Sequence, residues 1–146
     1  MPVHSIRLAR EEDGLEITRL ADQLGYPSSS NEMRRRLQRL LASPNDLVLV
    51  AEVHPGVLVG WVHAFLSQLL ESDYRVEIGG LVVDQEFRRG GVGRELVHRV
   101  EQWASGRGVA HVSVRCRTTR ADAHRFYENL GFSPTKTQTV FRKTLN

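Results

Sequence analysis

Apolar and polar residues alternate from Val3 to Leu8, the period of a half-buried strand. After Asp13 the period becomes helical, with Ile17, Leu20, Ala21 and Leu24 on one face, and Gly25-Tyr26-Pro27 stops that helix. Ser29-x-x-Glu32 is a capping box for a second helix whose apolar stripe is Met33, Leu37, Leu40 and Leu41, ending at Ser43-Pro44-Asn45. Asp46 to Val53 and Val57 to Ser67 are β-branched, apolar runs around His54-Pro55-Gly56, the pattern of a hairpin, and Trp61 and Phe65 share one strand face. A polar turn at Glu71-Ser72-Asp73 leads to a third antiparallel run, Tyr74 to Val83, in which Gly79-Gly80 predicts a bulge or a close backbone approach. Val92, Leu96, Val97, Val100, Trp103 and Ala104 form the strongest helical stripe, closed by Gly106 and Gly108. His111 to Cys116 is a short strand, and the intervening helix implies that it lies parallel to the strand before it. Thr119-x-x-Asp122 caps a last helix bearing Ala123, Phe126, Tyr127 and Leu130, and Phe132 to Leu145 offers one or two closing strands. The order describes an α/β domain on a mixed sheet.

Composition narrows the class. A chain of 146 residues fits a single domain, 1–146, and its 40% hydrophobic and 25% charged residues sit near the globular average. The start, Met1 to Arg7, lacks the apolar core of a leader, and no apolar run approaches the roughly 18 residues of a membrane span, so the expected location is cytoplasmic. Cys116 stands alone, which excludes an internal disulfide, and no Cys/His spacing suits a metal. A net charge of +3 suits an anionic ligand without demanding nucleic acid. The densest basic run, Arg34-Arg35-Arg36 with Arg39, fits the solvated face of a helix better than a nucleic-acid contact.

Candidate chemistry concentrates between Leu81 and Leu96, where a strand runs into Arg88-Arg89-Gly90-Gly91-Val92-Gly93-Arg94 and then into a helix. Glycines admit a ligand close to the backbone, the first N–H groups of a helix lack internal acceptors, and the helix end together with three guanidinium groups favours pyrophosphate. The P-loop requires Lys and then Ser or Thr where Arg94-Glu95 stands, and the dinucleotide fingerprint requires Gly or Ala where Leu96 stands. Arg88-x-x-Gly91-x-Gly93 instead resembles the acyl-coenzyme A pyrophosphate loop of the GNAT superfamily of N-acetyltransferases, Gln/Arg-x-x-Gly-x-Gly/Ala. A second stretch, Ala123-His124-Arg125-Phe126-Tyr127-Glu128-Asn129-Leu130-Gly131-Phe132, resembles that superfamily's last-helix signature of Ala-x-x-Phe-Tyr followed by Gly-Phe. The order of elements is also similar, so the resemblance covers the whole chain. It implies a single-domain GNAT-like fold with a central mixed sheet of about six to seven strands flanked by four helices.

The resemblance implies transfer of an acetyl group from acetyl-CoA, as co-substrate, to a primary amine by direct attack on the thioester. The amine must attack neutral, the carbonyl oxygen needs donors, and the leaving thiolate benefits from an acid. The coenzyme's pyrophosphate is expected at Arg88, Arg89, Gly90, Gly91, Val92, Gly93 and Arg94, and its pantetheine arm along Leu81, Val82 and Val83 as an added strand, beside Gly79-Gly80. The matching tyrosine of the superfamily stands near the coenzyme sulfur, which makes Tyr127 the candidate acid, although its helical spacing also suits plain packing. Glu77, six residues before Val83 and so roughly 20 Å along the strand, is the candidate base, and its spacing before Arg88 is similar to that of the base glutamate in histone-acetylating members of the superfamily; other members rely on water there, and a plain exposed strand carboxylate fits equally well. Arg120 stands where the superfamily often has Asn or Ser, leaving that coenzyme contact open. His63, His98, His111 and His124 show no partner at catalytic or metal spacing. The expected partner is a small-molecule amine, or a protein lysine or N-terminal amine, with neither nucleic acid nor membrane; a homodimer is compatible with such a chain. Tyr26 to Asn31 and Glu71 to Asp73 would shape the acceptor site, and their acidic residues with Glu77 hint at a cationic acceptor. The alternative is a non-catalytic acyl-CoA sensor or scaffold.

Overall fold

The apolar stripes read from the sequence close on opposite faces of one sheet in the computed structural model, which describes residues 4–146. Val3 and the first residues of the leader argument lie outside the described residues. The elements run β1 (Ser5–Leu8), a 3-10 turn (Glu11–Asp13), α1 (Gly14–Asp22), α2 (Ser30–Leu41), β2 (Asp46–His54), β3 (Val57–Leu69) and β4 (Ser72–Val83). A second 3-10 turn (Gln85–Phe87) leads into α3 (Val92–Gly106), β5 (Val112–Val114) and α4 (Ala121–Asn129). Residues up to Val114 form one compact unit and Arg115–Asn146 a second.

In the first unit the strand order is β1-β2-β3-β4-β5, antiparallel throughout except for the parallel pairing of β4 with β5. One face meets α1 and α2, where Ile17, Leu20 and Leu37 pack with Val48, Val50, Leu58 and Val82, and Trp61 lies against that cluster. The other face meets α3; a Cβ on Gly60 would stand 3.0 Å from Val92 Cγ1. Leu96, Val97 and Val100 are wholly buried, as the stripe of α3 predicts. The box at the start of α2 forms as expected, with Ser29 Oγ accepting from the Glu32 N–H at 3.1 Å. No helix among the described residues is long and apolar enough to cross a membrane.

Three expectations change. The sheet has five strands, not six or seven, among the described residues, because Phe132–Leu145 enters no ladder. Its physical weakness is legible: Thr135 to Thr139 offers no apolar residue to bury, and Val140, Phe141 and Leu145 are exposed at 76%, 91% and 81%. The last helix starts one residue later than the Thr119 box predicts, at Ala121, with Arg120 at its N-cap and no side-chain cap. The β3–β4 hairpin is longer than expected, its register reaching Leu69 opposite Ser72.

An ion-pair knot ties β1 to the start of α1. Arg7 donates through both terminal nitrogens to Asp13 at 2.8 Å, and one of them also donates to Glu52 at 3.0 Å. Burial alone would raise the Asp13 carboxyl, but the Arg7 guanidinium and the Arg10 N–H, at 2.7 Å, outweigh it and hold the carboxyl below its ordinary range. A depressed carboxyl contributes stability that is present above its unfolded value of about 3.9 and is lost as pH falls through the folded value. Asp13→Asn should therefore lower stability at pH 7 by up to about 3 kcal/mol, since it strands Arg7 beside a single carboxylate, and flatten the loss of stability below pH 4. Urea titrations from pH 3 to pH 7 on both proteins check this; parallel acid limbs would show the knot to be inert.

Candidate active site

The turn from β4 into α3 is held by polar contacts, most of them partly buried. Asp84, 8% exposed, caps the 3-10 turn by accepting from Glu86 N–H at 3.0 Å, and its own N–H donates to Val59 O at 2.8 Å. From α1, Arg19 reaches Asp84 at 3.3 Å and Leu58 O at 3.0 Å, while the Gln23 side chain accepts from Gln85 N–H at 3.1 Å. The loop beyond has two left-handed residues, Arg89 with φ 70° and Gly91 with φ 83°. Arg89 is the one non-glycine residue with positive φ among the described residues, and such strain persists where surrounding structure imposes it. Gly91 is the N-cap of α3 and supplies no side-chain cap, and the first intrahelical bond runs from Glu95 N–H to Gly91 O at 3.0 Å. The N–H groups of Val92, Gly93 and Arg94 therefore precede the internal ladder and open toward the loop. Arg88, Arg89 and Arg94 are exposed around it. Backbone donors, a helix end and three cations on an alternating loop make a concave anion cradle.

Beside the cradle, β4 has an unpaired edge. Its pairing with β5 stops at Ile78, opposite Val114, while its pairing with β3 continues to Val83. Because Asp84 N–H points at β3, the two-residue alternation turns the N–H and C=O of Leu81 and Val83 away from β3, toward the side on which no strand follows among the described residues. An extended amide-bearing chain can pair there. Leu81 and Val83 offer that edge; Val82, buried at 3%, serves the core instead.

The expected bulge is present: His63 faces Gly80 and Ala64 faces Ile78, which leaves Gly79 as the extra residue. Its cause lies in β3. A Cβ on Gly79 would stand 3.1 Å from His63 Nδ1 and 3.3 Å from Phe65, and one on Gly80 would stand 3.0 Å from the Trp61 ring. Both glycines thus turn the same way, under a row of three rings. The same face carries Asp46 and Glu77, which flank Phe65 on β2 and β4. Glu77 is half-buried there. His63 does have a partner, contrary to the reading from spacing: its Nε2 lies 2.8 Å from Asp46 Oδ1. His98 sits 3.8 Å from Glu101, and His124 Nε2 lies 2.9 Å from Arg117 O. No group of three or more potential metal ligands occurs among the described residues.

In the second unit, Tyr127 stacks edge-on with Phe126 and Phe132, centroids 5.0 and 5.4 Å apart. Burial, with the Cys116 thiol adding and Arg120 opposing, raises the Tyr127 hydroxyl well above the ordinary tyrosine range. Burial likewise raises Cys116, so the thiol stays protonated and is a poor nucleophile. Arg120 lies 3.7 Å from Asp122 at the helix start.

Residues 12–132 match the Acetyltransferase (GNAT) family. An aminoglycoside N(6')-acetyltransferase type 1 of Serratia marcescens is 27% identical over 125 residues, 82% of this chain and 86% of that protein. The aminoglycoside antibiotic 6'-N-acetyltransferase AAC(6')-Ih of Acinetobacter baumannii superposes with a TM-score of 0.87 at 20% identity, covering 99% of this chain and 100% of its own. The aminoglycoside N-acetyltransferase AAC(6')-Iy, solved in complex with CoA, does so with a TM-score of 0.87 at 20% identity, over 98% and 96% of the two chains. Cradle, free edge and match agree on one class, an acyltransferase that uses acetyl-CoA as co-substrate. The chain belongs to the GNAT family of acetyltransferases.

Proposed function

We propose that the protein acetylates a primary amine of a cationic small molecule, using residues 1–146 as a single catalytic domain in the cytoplasm. The observation that carries this reading is the adjacency of the anion cradle at Arg88–Arg94 to the unpaired edge of β4, the two features that an acyl-CoA needs for its pyrophosphate and its amide-bearing arm. The donors opening α3 hold the phosphates, and Leu81 and Val83 align the arm so that its acyl end reaches the Gly79–Gly80 bulge. Support for a cationic acceptor comes from the carboxylates of Asp46 and Glu77 on that face and from the aminoglycoside-modifying relative. Glu77 takes the proton that frees the amine for attack, and Tyr127, kept protonated by burial, gives its proton to the departing thiolate.

A panel of aminoglycosides, polyamines, amino sugars and lysine peptides, followed by release of free coenzyme thiol, tests the acceptor. At least one polycationic amine should turn over, and Glu77→Gln should lower its rate by about 10²-fold, with partial recovery at higher pH as more amine arrives neutral. Turnover confined to neutral or acidic acceptors would overturn the cationic assignment, and a wild-type pH profile in Glu77→Gln would remove that residue as base.

A further inference from the structure

The reaction takes two protons from one nitrogen. An acceptor amine arrives as an ammonium; one proton leaves before attack, and a second leaves once nitrogen has bonded to the acetyl carbon and the C–S bond breaks. One proton ends on the coenzyme sulfur through Tyr127 and the other in solvent, so the nitrogen needs two departures where a single carboxylate accepts one proton at a time. We infer that His63, oriented by Asp46, is the second proton acceptor of this site. The inference rests on the acetyltransferase reading and deepens it.

The geometry carries it. His63 and Glu77 lie on one face of the sheet, on either side of the Gly79 bulge, beside the edge that takes the coenzyme arm. Asp46 holds Nε2 at 2.8 Å, so in the neutral ring Nε2 carries the hydrogen and donates it, which leaves the lone pair on Nδ1. Nδ1 is the nitrogen turned to Gly79, 3.1 Å from where a side chain would begin there. A base is therefore aimed over bare backbone, with a carboxylate behind it to stabilise the imidazolium that forms, the logic of a His-Asp pair in acyl transfer. Part of the His63 side chain, 23%, is exposed, which gives its proton a way out to water. The charged groups on this face of the neighbouring strands are Asp46 and Glu52 on β2, Glu77 and Arg75 on β4, and Arg7 on β1, the last paired with Asp13 and Glu52.

The test uses the full chain with an amine that the wild type acetylates. His63→Gln should lower kcat by about 10- to 100-fold with CoA affinity unchanged. Asp46→Asn leaves the ring unoriented, so kcat should fall in the same sense with the KM for CoA unchanged, and Asp46→Asn combined with His63→Gln should be no slower than His63→Gln alone. A packing role predicts neither. Full activity in a folded His63→Gln protein, or rate losses of Asp46→Asn and His63→Gln that multiply in the double variant, overturns the inference while leaving the acetyltransferase reading intact. If His63→Gln fails to fold, the Asp46→Asn comparison decides alone. A wild type that acetylates no amine in the panel removes the reading and this inference together.

Discussion

Gly91→Val should weaken CoA binding by roughly 10- to 100-fold, a loss of about 1.4 to 2.8 kcal/mol, while leaving the protein folded. The effect is not one of space, since a Cβ at Gly91 would meet nothing within 4 Å. It is one of backbone conformation. Gly91 sits at φ 83°, where a β-branched residue is strained by about 1–3 kcal/mol, and the chain escapes that strain by rotating toward negative φ. Such a rotation turns the leading N–H groups of α3 away from the concavity they line. The helix itself survives, because Val92, Leu96, Val97 and Val100 remain buried against the sheet. Gly91→Asn is the informative companion: Asn tolerates the left-handed region, so its CoA affinity should stay within a few-fold of wild type. Calorimetric titration of CoA into the three proteins separates the cases. Equal affinity in a folded Gly91→Val protein would show that the cradle does not hold phosphate.

The sequence was most readable where function imposes a local signal. The glycine and arginine pattern of 88–94 is contiguous, so its loop and helix start could be placed before any tertiary contact was known, and Gly79-Gly80 announced a bulge by being poor strand formers. What the sequence did not disclose was why they are glycines, since the rings of Trp61, His63 and Phe65 that require them come from the neighbouring strand. The His63–Asp46 pair was hidden for the same reason, although a signal existed. Once His54 is set opposite Val57 in the hairpin, simple counting brings Asp46 opposite Phe65, next to His63, and the bulges between leave that register unchanged at the far end. Catalytic spacing along the chain was the wrong measure; spacing across strands was the right one. Asp84 and Arg19 were invisible in another way, as ordinary charged residues whose role in shaping the turn into α3 depends on α1 packing against the end of β4. The missing closing strands reflect a weak cue taken as sufficient, for scattered apolar residues without alternation do not define a face.

Tyr127→Phe should lower turnover by about 10²- to 10⁴-fold with CoA affinity unchanged. The substitution keeps the ring that meets Phe126 and Phe132 edge-on and removes only the hydroxyl, so a packing role predicts activity close to wild type. Stability should change by no more than about 1 kcal/mol. Burial raises the hydroxyl's pKa, so the neutral, proton-bearing form persists to higher pH than in an ordinary tyrosine. The sign of that shift predicts the alkaline behaviour of the wild type: kcat should not fall as pH rises through about 10, where an unperturbed tyrosine would lose its proton. In the unfolded chain the same tyrosine ionises near 10, so the folded state loses stability from that pH upward, and activity must be read in assays shorter than unfolding. Arg120→Ala removes the nearby positive charge that opposes the rise, so the alkaline limit of kcat should move up, not down. Stopped-flow detection of free thiol in the wild type, Tyr127→Phe and Arg120→Ala proteins measures all three effects. A Tyr127→Phe enzyme of full activity would leave the thiolate to depart unprotonated, and the large rate contribution assigned to the hydroxyl would pass to alignment of thioester and amine.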